Sequence, residues 1–287
     1  MSSTINSPIA VLSSSGSGAR ARAANRIQLV CGLVIVGLFV LVAVFAPLIS
    51  PYNALVQNVA DSLQPPSPAH LLGTDELGRD ALSRIIMAAR TDLPVALLGT
   101  LLPCLLGTAL GLTAGYFGKW VDVAVMRTAD LLQAFPTYIL MVVLVFALGP
   151  SISSLLIAFT AVGWVVYARL TRGETLRIKE SDYITAAIAA GLGNGRIMIR
   201  HVLPNTVRQT MVYFTSDLIF AITALASFSF LGFGVQPPTP EWGSMIAAGQ
   251  SYISVAPWLT IAPGLVLALF ALGLALVGDA LQSDGGR

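Results

Sequence analysis

The chain has 287 residues, of which 55% are hydrophobic and only 10% are charged, and its mean hydropathy is +0.80. Soluble domains contain about 25% charged residues, so this composition argues against a water-soluble enzyme. The net charge of +2 is too small to indicate a nucleic-acid partner. Both cysteines, Cys31 and Cys104, lie in apolar runs, which argues against a disulfide framework or a cysteine metal site. Composition therefore predicts an integral membrane protein that lies in the lipid bilayer and binds no nucleic acid.

Six apolar runs are long enough to cross a bilayer as helices of about 20 residues. The first, residues 27–49, follows a Ser-, Gly- and Ala-rich segment, residues 1–26, which we expect to be a disordered cytoplasmic tail. A cleaved signal peptide is the alternative, but a signal core has only about 7–15 apolar residues, which favours a retained first transmembrane helix. The other five runs lie near residues 93–117, 123–148, 151–170, 208–234 and 257–279.

The segments between these runs indicate how the rest of the chain is organised. We expect residues 50–92 to form an extracytoplasmic segment. Residues 93–280 then form a five-helix core that includes a long inner loop at residues 173–205, and residues 281–287 form a short cytoplasmic tail. In the second apolar run, Gly107 and Gly111 are a small-xxx-small pair, which permits another helix to approach closely.

The distribution of Lys and Arg predicts the orientation of the helices, because cytoplasmic loops are enriched in positive charge. With a cytoplasmic N-terminus, thirteen of the 16 Lys and Arg residues fall in inner segments. The other three, Arg79, Arg84 and Arg90, lie outside among Asp and Glu residues. We therefore expect a multi-pass protein of the cell membrane with both termini in the cytoplasm.

The inner loop at residues 173–205 is long and unlike the other loops. Ser181 is placed to cap a short Ala-rich helix, Gly191 and Gly193 to end it, and Asn194 to cap a second short helix. Small side chains permit a close fit into a groove on another protein, and the flanking arginines equally permit binding to anionic lipid headgroups. Composition alone leaves both alternatives open.

Four stretches of the chain together resemble one family of membrane proteins. The first stretch, in the inner loop, is similar to the cytoplasmic signature of permeases in binding-protein-dependent ABC importers. The family usually has Glu at the position of Thr185, so this chain departs from the pattern at one residue. The coupling residues that the resemblance implies are Thr185, Ala186, Ala187, Gly191, His201, Leu203 and Pro204.

Three further stretches narrow the resemblance to the second of the two permease subunits in the dipeptide, oligopeptide and nickel branch. One runs from His70 to Asp80 and continues to Arg84. The next comprises residues 126–130 and the Phe135-Pro136 pair that follows them. The last covers residues 231–243. Their order along the chain agrees with the order of the corresponding stretches in that branch.

The resemblance implies an all-α integral membrane protein with the type I ABC importer permease fold, six transmembrane helices and a cytoplasmic coupling-helix loop. It implies that the chain provides half of a translocation pathway for di- or oligopeptides, with nickel or another small solute as the alternative within the branch. The implied partners are a second homologous permease subunit, two ATPase subunits and an extracytoplasmic substrate-binding protein.

The chain has no phosphate-binding loop of the kind that combines two glycines with Lys and Ser or Thr. Lys119 precedes a tryptophan and Lys179 precedes a glutamate, and these are the only lysines in the sequence. We therefore expect a non-catalytic subunit with no cofactor of its own. ATP and Mg²⁺ are expected on the partner ATPase subunits.

Three residues in the predicted membrane spans are candidates for the translocation pathway. Asp217 is a costly carboxylate within a span, so it lines a cavity that receives a peptide ammonium group or it is a structural carboxylate with a protein partner. Asp130 is either a pathway residue or the helical-spacing ion-pair partner of Arg127. Phe135 belongs to the family-like stretch and is the third candidate.

The outer segment contains a cluster of titratable residues that includes His70. A metal site is one interpretation. However, Asp75 with Arg79 and Asp80 with Arg84 have the i,i+4 spacing that favours ion pairs, and carboxylates already paired are poor metal ligands. We therefore predict two ion pairs and no metal.

Two tryptophans flank the last apolar run at its outer end. Trp242 and Trp258 suit anchoring at the membrane interface. Glu241 and Trp242 are also candidates for contact with the substrate-binding protein.

Three other classes of function remain as alternatives. An ion-coupled secondary transporter usually has inverted repeats and midplane ion ligands, and the sequence shows no obvious repeat. An intramembrane enzyme needs a spaced set of His, Glu or Asp residues within the spans, which we do not find. A purely structural membrane partner is compatible with the composition.

Overall fold

The computed structural model describes the backbone of residues 15–285 and the side chains of residues 24–282 other than Arg208. This part of the chain is helical, and the predicted all-α fold is confirmed. A 3-10 turn at Val59–Asp61 and a π-helical turn at Met198–Val202 accompany the α-helices. The α-helices are α1 Ser15–Ile49, α2 Ala81–Phe117, α3 Lys119–Gln133, α4 Thr137–Leu148, α5 Ile152–Lys179, α6 Asp182–Ala189, α7 Asn194–Ile197, α8 Leu203–Phe230, α9 Trp242–Gln250 and α10 Trp258–Gly285.

Five of these helices contain a stretch that is long and apolar enough to cross a membrane, and counting one bent pair as a single span gives six. The bent pair is α3 and α4, whose axes differ by 89°. The sequence predicted one continuous run at residues 123–148. Pro136 explains the difference, because proline lacks the N–H of a helical hydrogen bond and disfavours helical angles at the preceding residue, Phe135.

Several helices are longer than the apolar runs predicted. The disordered tail predicted for residues 1–26 is wrong from residue 15 onwards, where α1 begins in Ala- and Arg-rich sequence that favours helix; residues 1–14 lie outside the described residues. At the other end of the chain, α10 continues into the predicted tail as far as Gly285. Hydrophobicity alone marks the part of a helix that is suited to lipid, so it underestimates the helix itself.

Helix α2 also begins earlier than predicted, at residue 81 and not near residue 93. The reason is a cap: the Asp80 carboxylate accepts a hydrogen bond from the Ser83 backbone N–H at 2.7 Å. A side chain that accepts from one of the first unpaired N–H groups stabilises the start of a helix. The non-helical outer segment therefore ends at Asp80, and residues 81–92 belong to α2.

The outer segment forms a tight turn around Asp75. The predicted pair of Asp75 with Arg79 is confirmed, at 2.7 Å between Oδ2 and Nε. The predicted pair of Asp80 with Arg84 is wrong, because Asp80 binds Ser83 and the His70 ring, whereas Arg84 lies 3.4 Å from Asp75. Turn geometry, and not helical spacing, selects these partners.

Helices α2 and α5 are in direct backbone contact. A Cβ atom at Gly107 would lie 2.2 Å from the Trp164 carbonyl oxygen, and one at Gly111 would lie 2.3 Å from that of Ala168. No side chain fits such a gap, so the close approach predicted for the small-xxx-small pair is confirmed. Elsewhere along these two helices, a buried core joins α2 and α5 to α1, α4, α8 and α10.

We predict that Gly111→Ala destabilises the chain, because its methyl group would overlap the α5 backbone. Overpacking of this kind costs about 1–3 kcal/mol. Gly173→Ala in α5 is the matched control, since a Cβ there meets nothing within 4 Å. The measurement is the free energy of unfolding in mixed detergent micelles, and equal values for the two variants would contradict the proposed fit.

Candidate functional site

The inner loop folds into a hairpin of two short helices, here called the α6–α7 hairpin (residues 182–197). Gly191 has φ +75° at the turn between them, a conformation that favours glycine, so the predicted break is confirmed. The predicted side-chain caps are wrong. Ser181 precedes α6 but donates its hydroxyl to the Ile178 carbonyl, and Asn194 is the first residue of α7, where its side chain binds Tyr116.

The hairpin has an exposed surface and a buried one. Among the residues implied by the resemblance, Thr185, Ala186, Gly191 and Pro204 are exposed, His201 and Leu203 are half-buried and Ala187 is buried. Exposed apolar side chains lie near them in sequence, including Ile188 at 52% and Ile199 at 68%. The candidate coupling residues thus do not form a single exposed patch.

The buried surface attaches the hairpin to the ends of the long helices. Ile184 and Ile197, one from each short helix, are 0% exposed. They belong to a cluster of buried residues that also contains Leu112 from α2 and Ile178 from α5. Asn205, in the first turn of α8, donates to the Tyr183 hydroxyl of α6 at 3.4 Å. The hairpin is therefore fixed to the helix bundle on one side and free of contacts from the described chain on the other.

Asp217, the candidate pathway carboxylate, lies in α8 and is half-buried. The Tyr167 hydroxyl on α5 donates a hydrogen bond to its Oδ2 at 2.8 Å. The Tyr213 ring lies against Tyr167, with ring centroids 5.0 Å apart. A protein partner for a carboxylate within a span lowers the cost of placing it there.

Asp130 does not pair with Arg127. Its carboxylate binds Arg169 of α5 at 2.7 Å, and both side chains are exposed. A second pair, which the sequence did not indicate, joins Asp122 of α3 to Arg172 of α5 through two hydrogen bonds. The simple helical spacing failed because α3 lies beside α5, whose arginines reach it.

The three candidate pathway residues do not form one site. Asp130 forms an ion pair with Arg169, and Asp217 accepts a hydrogen bond from Tyr167; both of these partners lie on α5. Positions two apart on a helix point about 200° from each other, so the two carboxylates lie on different sides of α5. Phe135 is 60% exposed at the α3–α4 bend. Among them, only Asp217 combines partial burial with a polar partner.

The prediction that Glu241 and Trp242 are available for a partner is wrong, as is the prediction that Trp242 is an interfacial anchor. Their exposed fractions are 0% and 1%. Glu241 caps α9 by accepting from the Gly243 and Ser244 N–H groups at 2.9 and 2.6 Å. The Trp242 indole donates to the Ile85 carbonyl, and its backbone N–H donates to Asp92.

Asp92 is a buried carboxylate that the sequence analysis did not single out. It is 1% exposed, within α2. The signal available was a lone acidic residue at the edge of an apolar run, which hydropathy alone does not distinguish from a loop residue. Its bond to Trp242 attaches the short helix α9 to the start of the bundle.

Comparison with known proteins gives two family matches. The model described as the inner membrane component of binding-protein-dependent transport systems matches residues 107–283. The chain belongs to this family. A second model, the N-terminal transmembrane domain of oligopeptide transport permease C, matches residues 29–66. The chain is thus a multi-pass inner membrane permease subunit, and the family decides against the ion-coupled secondary transporter.

Several relatives match nearly the whole permease. A dipeptide transport system permease protein of Alkalihalophilus pseudofirmus is 39% identical, over 90% of this chain and 84% of that protein. A dipeptide transport system permease protein of Haemophilus influenzae is 38% identical, over 88% of this chain and 87% of that protein. A glutathione transport system permease protein of Pectobacterium atrosepticum is 39% identical, over 87% of this chain and 84% of that protein. The resemblance to the peptide branch is confirmed, and with it the type I permease fold.

We predict that Glu241 makes the stability of the permease depend on pH. Burial raises the pKa of Glu241 above its ordinary value of 4.5, so the folded chain binds this proton more tightly than the unfolded chain does. The contribution of Glu241 is therefore greatest at low pH and decreases as the pH rises from about 4.5 through the folded-state pKa. Each unit of increase in the pKa corresponds to about 1.4 kcal/mol.

Glu241→Gln tests this dependence, because glutamine retains a carbonyl acceptor for the α9 cap and does not titrate. The difference in unfolding free energy between the original chain and the variant should decrease between pH 4 and pH 7. Both chains carry Asp92→Asn, because the charge of Glu241 acts on Asp92 and would otherwise add a second titration to the difference. A difference that is constant with pH would contradict the effect of burial on this carboxyl group.

Proposed function

We propose that this permease provides one half of the translocation pathway of an ATP-driven importer of di- or oligopeptides. The α6–α7 hairpin is the observation that supports coupling to an external motor: it is packed on the bundle through Ile184 and Ile197, and Ala186 and Ile188 remain exposed. The relatives' names, which specify dipeptides and glutathione, support peptides as the substrate class.

The other half of the pathway would come from a second, homologous permease subunit. Two ATPase subunits would bind ATP and Mg²⁺ and hydrolyse ATP, since this sequence contains no phosphate-binding loop. An extracytoplasmic binding protein would deliver the peptide. The excess of Lys and Arg in alternate segments supports cytoplasmic termini and a cytoplasmic α6–α7 hairpin.

The mechanism that fits these parts is alternating access. Closure of the ATPase pair would displace the hairpin, and the buried cluster would transmit this displacement to α2 and α5. The hairpin must contact its partner differently in the inward-open and outward-open states, because contacts of equal strength in both states shift no equilibrium. Thr185 supplies no charge at the position where the family has Glu, so docking here relies on shape and apolar contact.

We predict that Ala186→Glu abolishes association with the ATPase subunits and leaves the permease inserted and folded. Ala186 is exposed on α6, so glutamate adds bulk and charge to the docking surface without disturbing the core. Val59→Glu is the control, since Val59 is 70% exposed in the outer segment. The measurement is copurification of the ATPase with each tagged permease from native membranes.

The same experiment identifies the function. The original chain and Val59→Glu should both retain the ATPase, and proteoliposomes that contain the complex should take up peptide only with ATP and the binding protein. Retention of the ATPase by Ala186→Glu would show that this surface of α6 is not the docking surface. Uptake driven by an ion gradient without ATP would overturn the proposed function.

We further propose that Asp217 lines the pathway and binds the ammonium group of the peptide. We predict that Asp217→Asn reduces uptake of peptides with a free N-terminus about tenfold relative to N-acetylated peptides, because asparagine keeps the bond to Tyr167 and removes the charge. Tyr167→Phe, which retains the carboxylate, is the comparison. Equal loss for both peptide classes, or loss of ATPase association, would assign Asp217 to structure.

A further inference from the structure

Tyr116, in the last turn of α2, connects that helix to the α6–α7 hairpin. Its side chain is 6% exposed and belongs to the buried cluster beneath the hairpin. Its hydroxyl donates a hydrogen bond to Oδ1 of Asn194 at 3.0 Å. Asn194 is the first residue of α7, so this bond joins the end of a long helix to the second helix of the hairpin.

Lys179 brings a third element to the same point. It is the last residue of α5, and its Nζ donates to the Tyr116 backbone carbonyl at 2.5 Å. The last carbonyls of a helix have no partner within the helix, and a lysine that binds one also complements the negative end of the helix dipole. The same ammonium lies 5.5 Å from the centroid of the Tyr116 ring.

The two long helices that meet at Tyr116 are packed backbone against backbone. Three glycines of α2 place its backbone against α5, and the last of them, Gly115, is adjacent to Tyr116. A Cβ atom at Gly115 would lie 2.7 Å from Cβ of Thr175. A displacement applied to the end of α2 is therefore transferred to α5, because interdigitated backbones cannot slide past each other without overlap.

We propose that Tyr116 is a positioning residue that links the α6–α7 hairpin to the α2–α5 pair, so that movement of the hairpin opens or closes the pathway. This inference rests on the proposed function, in which the hairpin receives the movement of the ATPase. Apolar packing in the cluster holds the hairpin near the bundle but does not fix its direction. The hydrogen bond to Asn194 is directional, and it ties α7 to one point on α2.

Tyr116→Phe tests the link, because it removes the hydroxyl and preserves the ring that packs in the cluster and lies beside Lys179. The complete complex in proteoliposomes should hydrolyse about five times more ATP per molecule of radiolabelled alanyl-alanine delivered, the effect of losing one net hydrogen bond from a two-state equilibrium. Association with the ATPase should not change.

Asn194→Ala removes the other partner at an exposed position, so it tests the same bond without altering the core. The variant with both substitutions should hydrolyse no more ATP per peptide delivered than either single variant, as expected for two residues that act through one contact. Tyr52→Phe is the control: it also removes a hydroxyl donor, to the Ala69 carbonyl at 2.7 Å, but in the outer segment.

The outcomes separate this inference from the proposed function. If the original complex retains the ATPase and imports alanyl-alanine with ATP, but Tyr116→Phe has the same ATP-to-peptide ratio, then the link is wrong and the importer stands. Additive effects of the two single variants would also overturn the link. If the original complex shows neither ATPase association nor ATP-dependent uptake, the proposed function and this inference are both overturned.

Discussion

Direct backbone contact between α2 and α5 determines where the other parts of the described chain lie. Gly107, Gly111 and Gly115 leave no room for a Cβ atom, so the two helices form one unit. Four other helices of the described chain are attached to this unit by polar links. Helix α3 is held by arginines of α5, α8 by Tyr167 of α5, α9 by Asp92 of α2 and α7 by Tyr116 of α2.

In three of these links a carboxylate or amide from the peripheral helix accepts from a donor on the central pair. In the fourth the direction is reversed, since Asp92 of α2 accepts from the Trp242 backbone N–H of α9. Within a low-dielectric bundle an unpaired polar group is costly, and a single good hydrogen bond removes much of that cost. Such a link is strong enough to orient a helix and weak enough to be exchanged when the bundle changes state. In the proposed mechanism, α2 and α5 would move as one rigid unit, and the linked helices would change position relative to it.

The sequence predicted the features that depend on local composition. Apolar runs located the spans, and Gly191 located the hairpin turn, because hydrophobicity and backbone freedom belong to individual segments. Choice of partner was not predictable in this way. Asp130 had an arginine at favourable spacing, yet it pairs with Arg169 of another helix. Asp80 also had one, but the local turn places Ser83 and the His70 ring closer. The burial of Trp242 also depends on long-range packing, since Phe39 of α1 and Phe270 of α10 enclose its ring.

The right-angled break between α3 and α4 has a consequence for how the bilayer is crossed at this edge of the protein. Helix α4 has 12 residues, which at a rise of about 1.5 Å per residue gives a length of about 18 Å. The hydrocarbon layer is about 30 Å thick, so α4 alone is too short to cross it. Any crossing of the bilayer at this edge must therefore include α3 or a neighbouring polypeptide.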